Sequence, residues 1–261
     1  MSVTAPQGFR AAGVSAGLKG GGARDVAVVV NEGPSRAAGG VFTSAEDAAA
    51  PVLWSRQVLS GGRVRAVVLS SGGANVSTGP PGFQDVHAQA EHIADLLGDS
   101  SSEVALCSAG AVGVRPSLQA LRRGAAEALA EASREGGLAA ADALRTTDTV
   151  AKIAFRRGDG YTVGAMAKGP DPSVSSVLCV LTTDAELTPD QCRRLLVDAV
   201  GKTFDPLEAT NDAVLLMASG ASGVIPGEDA LAALLTEVLA ELAIQVGSDV
   251  PVPDNDQAQE S

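Results

Sequence analysis

Two hydrophobic periods alternate along the chain. Short apolar runs bounded by Gly, Asn and Ser read as strands: 26–30, 64–69, 104–107, 150–155, 161–167, 177–181 and 214–218. Between them lie stretches with apolar residues every three or four positions, the spacing of a half-buried helix. Residues 86–97 form one such stretch, with Asp85 as a candidate cap, and residues 117–133 form another, ending near Gly136. The clearest helix start is Thr188-Pro189-Asp190-Gln191, where Thr can cap, Pro suits the first turn and Gln can return the cap. Cys192, Leu195, Leu196 and Ala199 then mark its buried face, and a last helix is expected over 229–245. Alternating strands and helices predict one layered α/β (α+β) domain over residues 1–246. Residues 247–261 are polar and Pro-containing and read as a disordered tail.

Composition narrows the picture. Of 261 residues 45% are hydrophobic but only 3% aromatic, so Ala, Val and Leu must fill the core. The formal net charge of −12, with Arg and Lys scattered, argues against nucleic acid as a partner. Three cysteines without a spacing motif point to a reducing cytoplasm rather than a disulfide framework. With only His87 and His92, no His-based metal site is expected. Residues 1–13 carry no apolar signal core, and no apolar run reads as long enough to span a membrane.

Four segments are candidates for chemistry, and each has a plain structural alternative. Ser70–Gly79 follows a strand and is small enough for a ligand to approach its backbone, or it is a tight turn. Cys107–Gly113 also follows a strand; its backbone N–H groups suit an oxyanion hole, or it simply joins strand to helix. Thr146-Thr147-Asp148-Thr149 sets hydroxyls beside a carboxylate, to bind a polar substrate or to cap neighbouring elements. Lys168 ends an apolar strand and suits a substrate carboxylate, and Ser176 opens the next strand as a candidate nucleophile; otherwise the two flank a surface loop.

Taken in order, these segments resemble the ornithine acetyltransferase (glutamate N-acetyltransferase) family. The matching residues are Gly8–Gly13, Gly40–Thr43, Pro51–Leu53, Gly73-Ala74-Asn75 with Thr78-Gly79, and Thr146–Thr149. Met166–Gly169, Leu181–Ala185 and Thr210-Asn211-Asp212 continue the series over about 220 residues.

The resemblance implies an α-β-β-α fold like that of N-terminal-nucleophile hydrolases and a chain that cuts itself. The cut is expected between Ser175 and Ser176, giving pieces 1–175 and 176–261, with 176–246 the folded part of the second. Ser176 then stands as nucleophile where the family has Thr. Thr146 and Lys168 match substrate-binding positions, Gly110 matches one oxyanion-hole position, and Ala109 stands where the family has an oxyanion Thr. The implied substrates are N-acetylornithine and glutamate, with no cofactor. The segment between Lys168 and Ser176 is shorter than in the family. Family members also continue into a further segment, bearing a substrate-binding Glu and a C-terminal Asn and Ser/Thr, that this sequence does not contain. A homo-oligomer or a pairing with another chain is therefore expected. Two other readings stay open at this point: an impaired paralogue acting as a binding or accessory subunit, and an N-terminal-nucleophile amidohydrolase.

Overall fold

The computed structural model describes residues 2–169, 176–204 and 206–249. Nine strands and six α-helices appear among them. In chain order they are β1 (Phe9–Val14), β2 (Val26–Asn31), β3 (Ala37–Phe42), α1 (Ala50–Ser60), β4 (Ala66–Ser70), α2 (Gly79–Leu97), β5 (Val104–Ser108), α3 (Leu118–Glu131) and α4 (Gly137–Leu144). There follow β6 (Lys152–Arg157), β7 (Thr162–Lys168), β8 (Leu178–Thr183), α5 (Pro189–Gly201), β9 (Ala213–Ala218) and α6 (Glu228–Ser248).

The strands form two sheets. The first runs β1-β2-β4-β5, antiparallel except for the parallel β4–β5 pair. The second runs β3-β9-β8-β7-β6, with β8 and β9 parallel. Alternation along the second sheet divides the core. Met166, Leu178, Val180, Leu215 and Met217 join the first sheet in one apolar cluster, while Ala165, Cys179, Leu181, Val214 and Leu216 join α5 and α6 in another. Helices α3 and α4 pack on β1 and β2, and α5 and α6 cover the far face of the second sheet. The expected layered α-β-β-α architecture is the one observed.

Open strand edges are covered by side chains as well as backbone, which blunts a row of unpaired amides. Along β5, the Trp54 indole donates to the Val104 carbonyl, and Ser55 Oγ both donates to the Leu106 carbonyl and accepts from its N–H. Along β6, Gln245 exchanges two hydrogen bonds with the Ile153 backbone. The β1 edge pairs Ala11 with Ser133, and the β3 edge pairs Ala37 with Arg63.

Several sequence-based boundaries shift. The 150–155 strand becomes β6 at Lys152–Arg157, the residues that pair antiparallel with Thr162–Ala167 of β7. Helix α2 begins at Gly79, not Asp85: two prolines occupy its first turn, and Asp85 pairs with Arg115 instead. The Thr188–Gln191 capping box is formed as expected. Helix α6 runs through Ser248, past the expected limit at 245, while residues 250–261 of the expected tail lie outside the described residues. This helix also corrects the reading that no apolar run is long enough for a membrane. Its 21 residues meet that test by length and composition. Leu231, Leu235, Val238, Leu239 and Leu242 are nonetheless buried within the cluster it shares with the second sheet, the arrangement of a core helix.

Candidate active site

The ends of β7 and β8 meet at the mouth of the second sheet, where Lys168 pairs in register with Leu178. Lys168 Nζ donates to Ser176 Oγ at 2.8 Å. Both are buried, at 1% and 3% exposure, so the contact lies in a medium where charge acts strongly. Ser175, the residue expected before the cut, lies outside the described residues. The position after Ser176 is fixed on both sides of its peptide: the Val177 N–H donates to Asp212 Oδ1 at 2.7 Å, and its carbonyl accepts from Ala213 N at 3.0 Å. Asp212 also accepts from the Ala209 N–H. Burial pushes the Asp212 carboxyl above the usual range, while these two amides and the charge of Lys168 pull it back.

The first sheet brings a pair of loops to the same end. Segments 70–75 and 108–114 are zipped together by backbone bonds from Ala109 to Ser70, Gly73 to Ala109, Ala74 to Ala111 and Asn75 to Val114. Gly110 sits at φ +116°, and a Cβ there would come within 2.8 Å of Gly73 N, so no other residue fits unstrained. Among the described residues the Gly110 N–H donates to no acceptor, whereas the Ala109 N–H is committed to the Ser70 carbonyl at 2.8 Å. The two candidate oxyanion positions are thus unequal. Asn211 Nδ2 donates to the Ser108 carbonyl at 2.9 Å, and this bond ties the loop pair to Asp212 and from there to Val177.

The Thr146–Thr149 loop is anchored by its own carboxylate. Asp148 accepts from the Thr146 N–H at 3.1 Å, from the Gly169 N–H at 2.7 Å and from Lys152 Nζ at 2.5 Å. One side chain therefore fixes Thr146 relative to the end of β7 that carries Lys168. Lys152, at 0% exposure, also meets Asp249 at 2.5 Å. Burial works to raise the Asp249 carboxyl, but its bonds to Lys152 and Thr149 prevail and hold it at about 2. The hydroxyls of Thr146, Thr147 and Thr210 are buried without a partner, a costly state that a bound polar ligand can relieve. Among the described residues no group of His, Cys, Asp or Glu is arranged to hold a metal.

Of the residues singled out from sequence, Lys168 and Ser176 are in contact, Thr146 is joined to Gly169 through Asp148, and Gly110 and Ala109 are joined to Val177 through Asn211 and Asp212. Lys152, Asp249 and the bonding roles of Asn211 and Asp212 were missed. The last pair stands within the Thr210-Asn211-Asp212 segment that carries the family resemblance, and an Asn-Asp step directly before a buried strand was the local signal beside it. His87 and His92 lie along α2, and His87 packs edge-on against Trp54.

The chain is similar to known proteins over nearly its whole length. The ArgJ family matches residues 10–251. An arginine biosynthesis bifunctional protein ArgJ from Thermobifida fusca is 57% identical over 257 residues, which is 95% of this chain and 67% of that protein. This chain thus spans about two thirds of that relative's length. The crystal structure of Mycobacterium tuberculosis ornithine acetyltransferase complexed with ornithine is 50% identical, with a TM-score of 0.65, covering 68% of this chain and 96% of that one. An Ochrobactrum anthropi L-aminopeptidase D-Ala-esterase/amidase, a variant of the Ntn-hydrolase fold, matches 94% of this chain and 85% of its own at 15% identity and a TM-score of 0.57; it speaks to fold alone.

Proposed function

The chain belongs to the ArgJ family, and we propose that it is an N-acyltransferase of arginine biosynthesis that moves acetyl from N-acetylornithine to glutamate through Ser176. The contact between Lys168 and Ser176 at the entrance to β8 carries this reading.

The reaction begins with the chain itself. Ser176 Oγ attacks the carbonyl carbon of residue 175, the peptide nitrogen of Ser176 leaves as an amine, and water hydrolyses the resulting ester. A free α-amine remains on Ser176, and such an amine titrates near ~8, close enough to neutral to accept a proton without a histidine. In transfer, that amine takes the Oγ proton as Oγ attacks the acetyl carbonyl. Ornithine leaves with the proton, and the amine of glutamate then attacks the ester and restores the hydroxyl. The Lys168 ammonium, 2.8 Å from Oγ, favours the negative charge that develops there. The uncommitted Gly110 N–H is the oxyanion donor, and Ala109, its own N–H spent and its side chain a methyl, supplies none. Thr146, with its unpartnered hydroxyl, binds substrate.

The cut between Ser175 and Ser176 draws support from the solved Mycobacterium tuberculosis chain, 96% of which matches only 68% of this one, a size suited to one piece of a divided polypeptide. The working protein is cytoplasmic and pairs with another copy or chain. The test is transfer from N-acetylornithine to glutamate by purified protein. Acetylglutamate should form, Ser176→Ala should reduce the rate to background, and Lys168→Met should reduce it by about 10². Unchanged transfer by Ser176→Ala overturns the assignment.

A further inference from the structure

Helix α6 grips the open edge of the second sheet along one row of side chains. Glu237, Glu241, Gln245 and the C-cap Asp249 stand four residues apart, the spacing that forms a ridge on a helix. Each meets β6 or the turn before it. Glu237 and Glu241 pair with Arg156, at 3.9 and 2.6 Å. Gln245 accepts from the Ile153 N–H at 3.2 Å and donates to its carbonyl at 3.0 Å. Asp249 accepts from the Thr149 N–H at 2.9 Å, from the Thr149 hydroxyl at 2.5 Å and from the Lys152 ammonium at 2.5 Å.

The two ends of this row differ in burial and in what lies behind them. The Arg156 pairs face solvent, where an ion pair contributes little. The Asp249 end is closed, with the side chains of Asp249 and Lys152 only 7% and 0% exposed. Behind Lys152 stands Asp148, equally shielded. Its Oδ1 accepts from both the Lys152 ammonium and the Gly169 N–H, and its Oδ2 accepts from the Thr146 N–H. The three donors of the ammonium go to Asp148, to Asp249 and to the Val150 carbonyl at 3.3 Å. Two carboxylates thus hold one buried cation from opposite directions. Without the charge of Asp249, the ammonium falls to Asp148 alone and competes with the Gly169 amide for the same oxygen.

We infer that Asp249 is a positioning residue for the substrate side of the site, holding Thr146 and the Gly169 end of β7 in place from α6 through Lys152 and Asp148. Its bearing on substrate rests on the acyl-transfer reading, in which Thr146 and Lys168 bind substrate; the mechanical coupling does not. The proposed cut puts Asp249 on the second piece and the loop it holds on the first, so one piece sets the binding wall of the other.

Native-state amide exchange followed by NMR, with steady-state kinetics of acetyl transfer on the same samples, tests this role. Asp249→Asn should quicken exchange of the Thr146 and Gly169 amides by about ten-fold or more, while the Leu181 amide of β8 stays protected, which separates a loosened loop from lost folding. The KM for N-acetylornithine should rise by about ten-fold with kcat changed much less, because a displaced binding wall weakens substrate and transition state alike. Asp249→Glu, which keeps the charge, should recover most of both effects. Glu241→Gln loosens the same row at its open end and should move neither. Thr146 and Gly169 amides that exchange in Asp249→Asn as in the wild type overturn the positioning role. An equal rise in KM for Glu241→Gln also overturns it, since helix docking alone would then explain the effect, and so does an unchanged KM beside quickened amides. A wild type that transfers no acetyl, with the amides responding as expected, would overturn the proposed reaction and leave the coupling of Asp249 to the loop standing.

Discussion

Lys152 shows how much of the site depends on single residues. Its ammonium is wholly buried and meets Asp148 and Asp249, and Asp148 in turn holds Thr146 and Gly169. Breaking a buried ion pair from one side strands a charge, so Lys152→Met should cost about 3–5 kcal/mol of stability, read by urea unfolding. Asp249 adds a pH dependence. Its folded pKa of about 2 lies below the ordinary aspartate value of 3.8, so the stabilisation is complete above the unfolded value and is lost as pH falls from about 4 towards 2. Melting curves across that window should show this loss, and Asp249→Asn should flatten it. A parallel decline in both proteins would contradict the assignment. These roles were not legible beforehand because Lys152 and Asp249 are 97 positions apart in sequence. Lys168 and Ser176 were legible because both stand at the ends of apolar runs. The cysteines make a simpler case: burial pushes the Cys107 and Cys192 thiols up to about 12 and Cys179 higher still. Native protein should therefore resist thiol reagents at neutral pH until it is unfolded.

At the scale of elements, the segments that sequence left unassigned share a physical cause. Strands β1 and β3 are rich in Ala and Gly, and α4 rests on a glycine: a Cβ at Gly13 would lie 2.0 Å from the Ala139 carbonyl. Their burial comes from close backbone approach rather than large side chains, so their hydrophobic period is faint. Helix α1 was also missed, although it covers the β5 edge through Trp54 and Ser55. Ser55→Ala should leave both backbone groups of Leu106 unpaired and cost about 1–3 kcal/mol, measured by chemical denaturation. A loss within error would mean that water replaces the hydroxyl. The capping box of α5 was readable because its signal is local, with both partners three residues apart.

The whole molecule brings distant segments to one end of a two-sheet core. The end of β5 offers Gly110, the end of β7 offers Lys168, the entrance to β8 offers Ser176, and the start of β9 offers the Asn211–Asp212 pair that ties them together. The alternation of strands and helices made the layered class readable, but the pairing β3-β9-β8-β7-β6 joins strands that begin 176 positions apart in the chain, and local pattern does not encode that. The proposed chemistry requires this end of the core to act first on its own backbone. Intact mass spectrometry of purified protein tests that most directly. The account predicts two polypeptides, residues 1–175 and 176–261, and a single uncut chain for Ser176→Ala. Incubation with N-acetylornithine should then add one acetyl group to the second piece, at Ser176. A wild-type chain that remains whole while it transfers acetyl, or an acetyl group carried on any other residue, would contradict it.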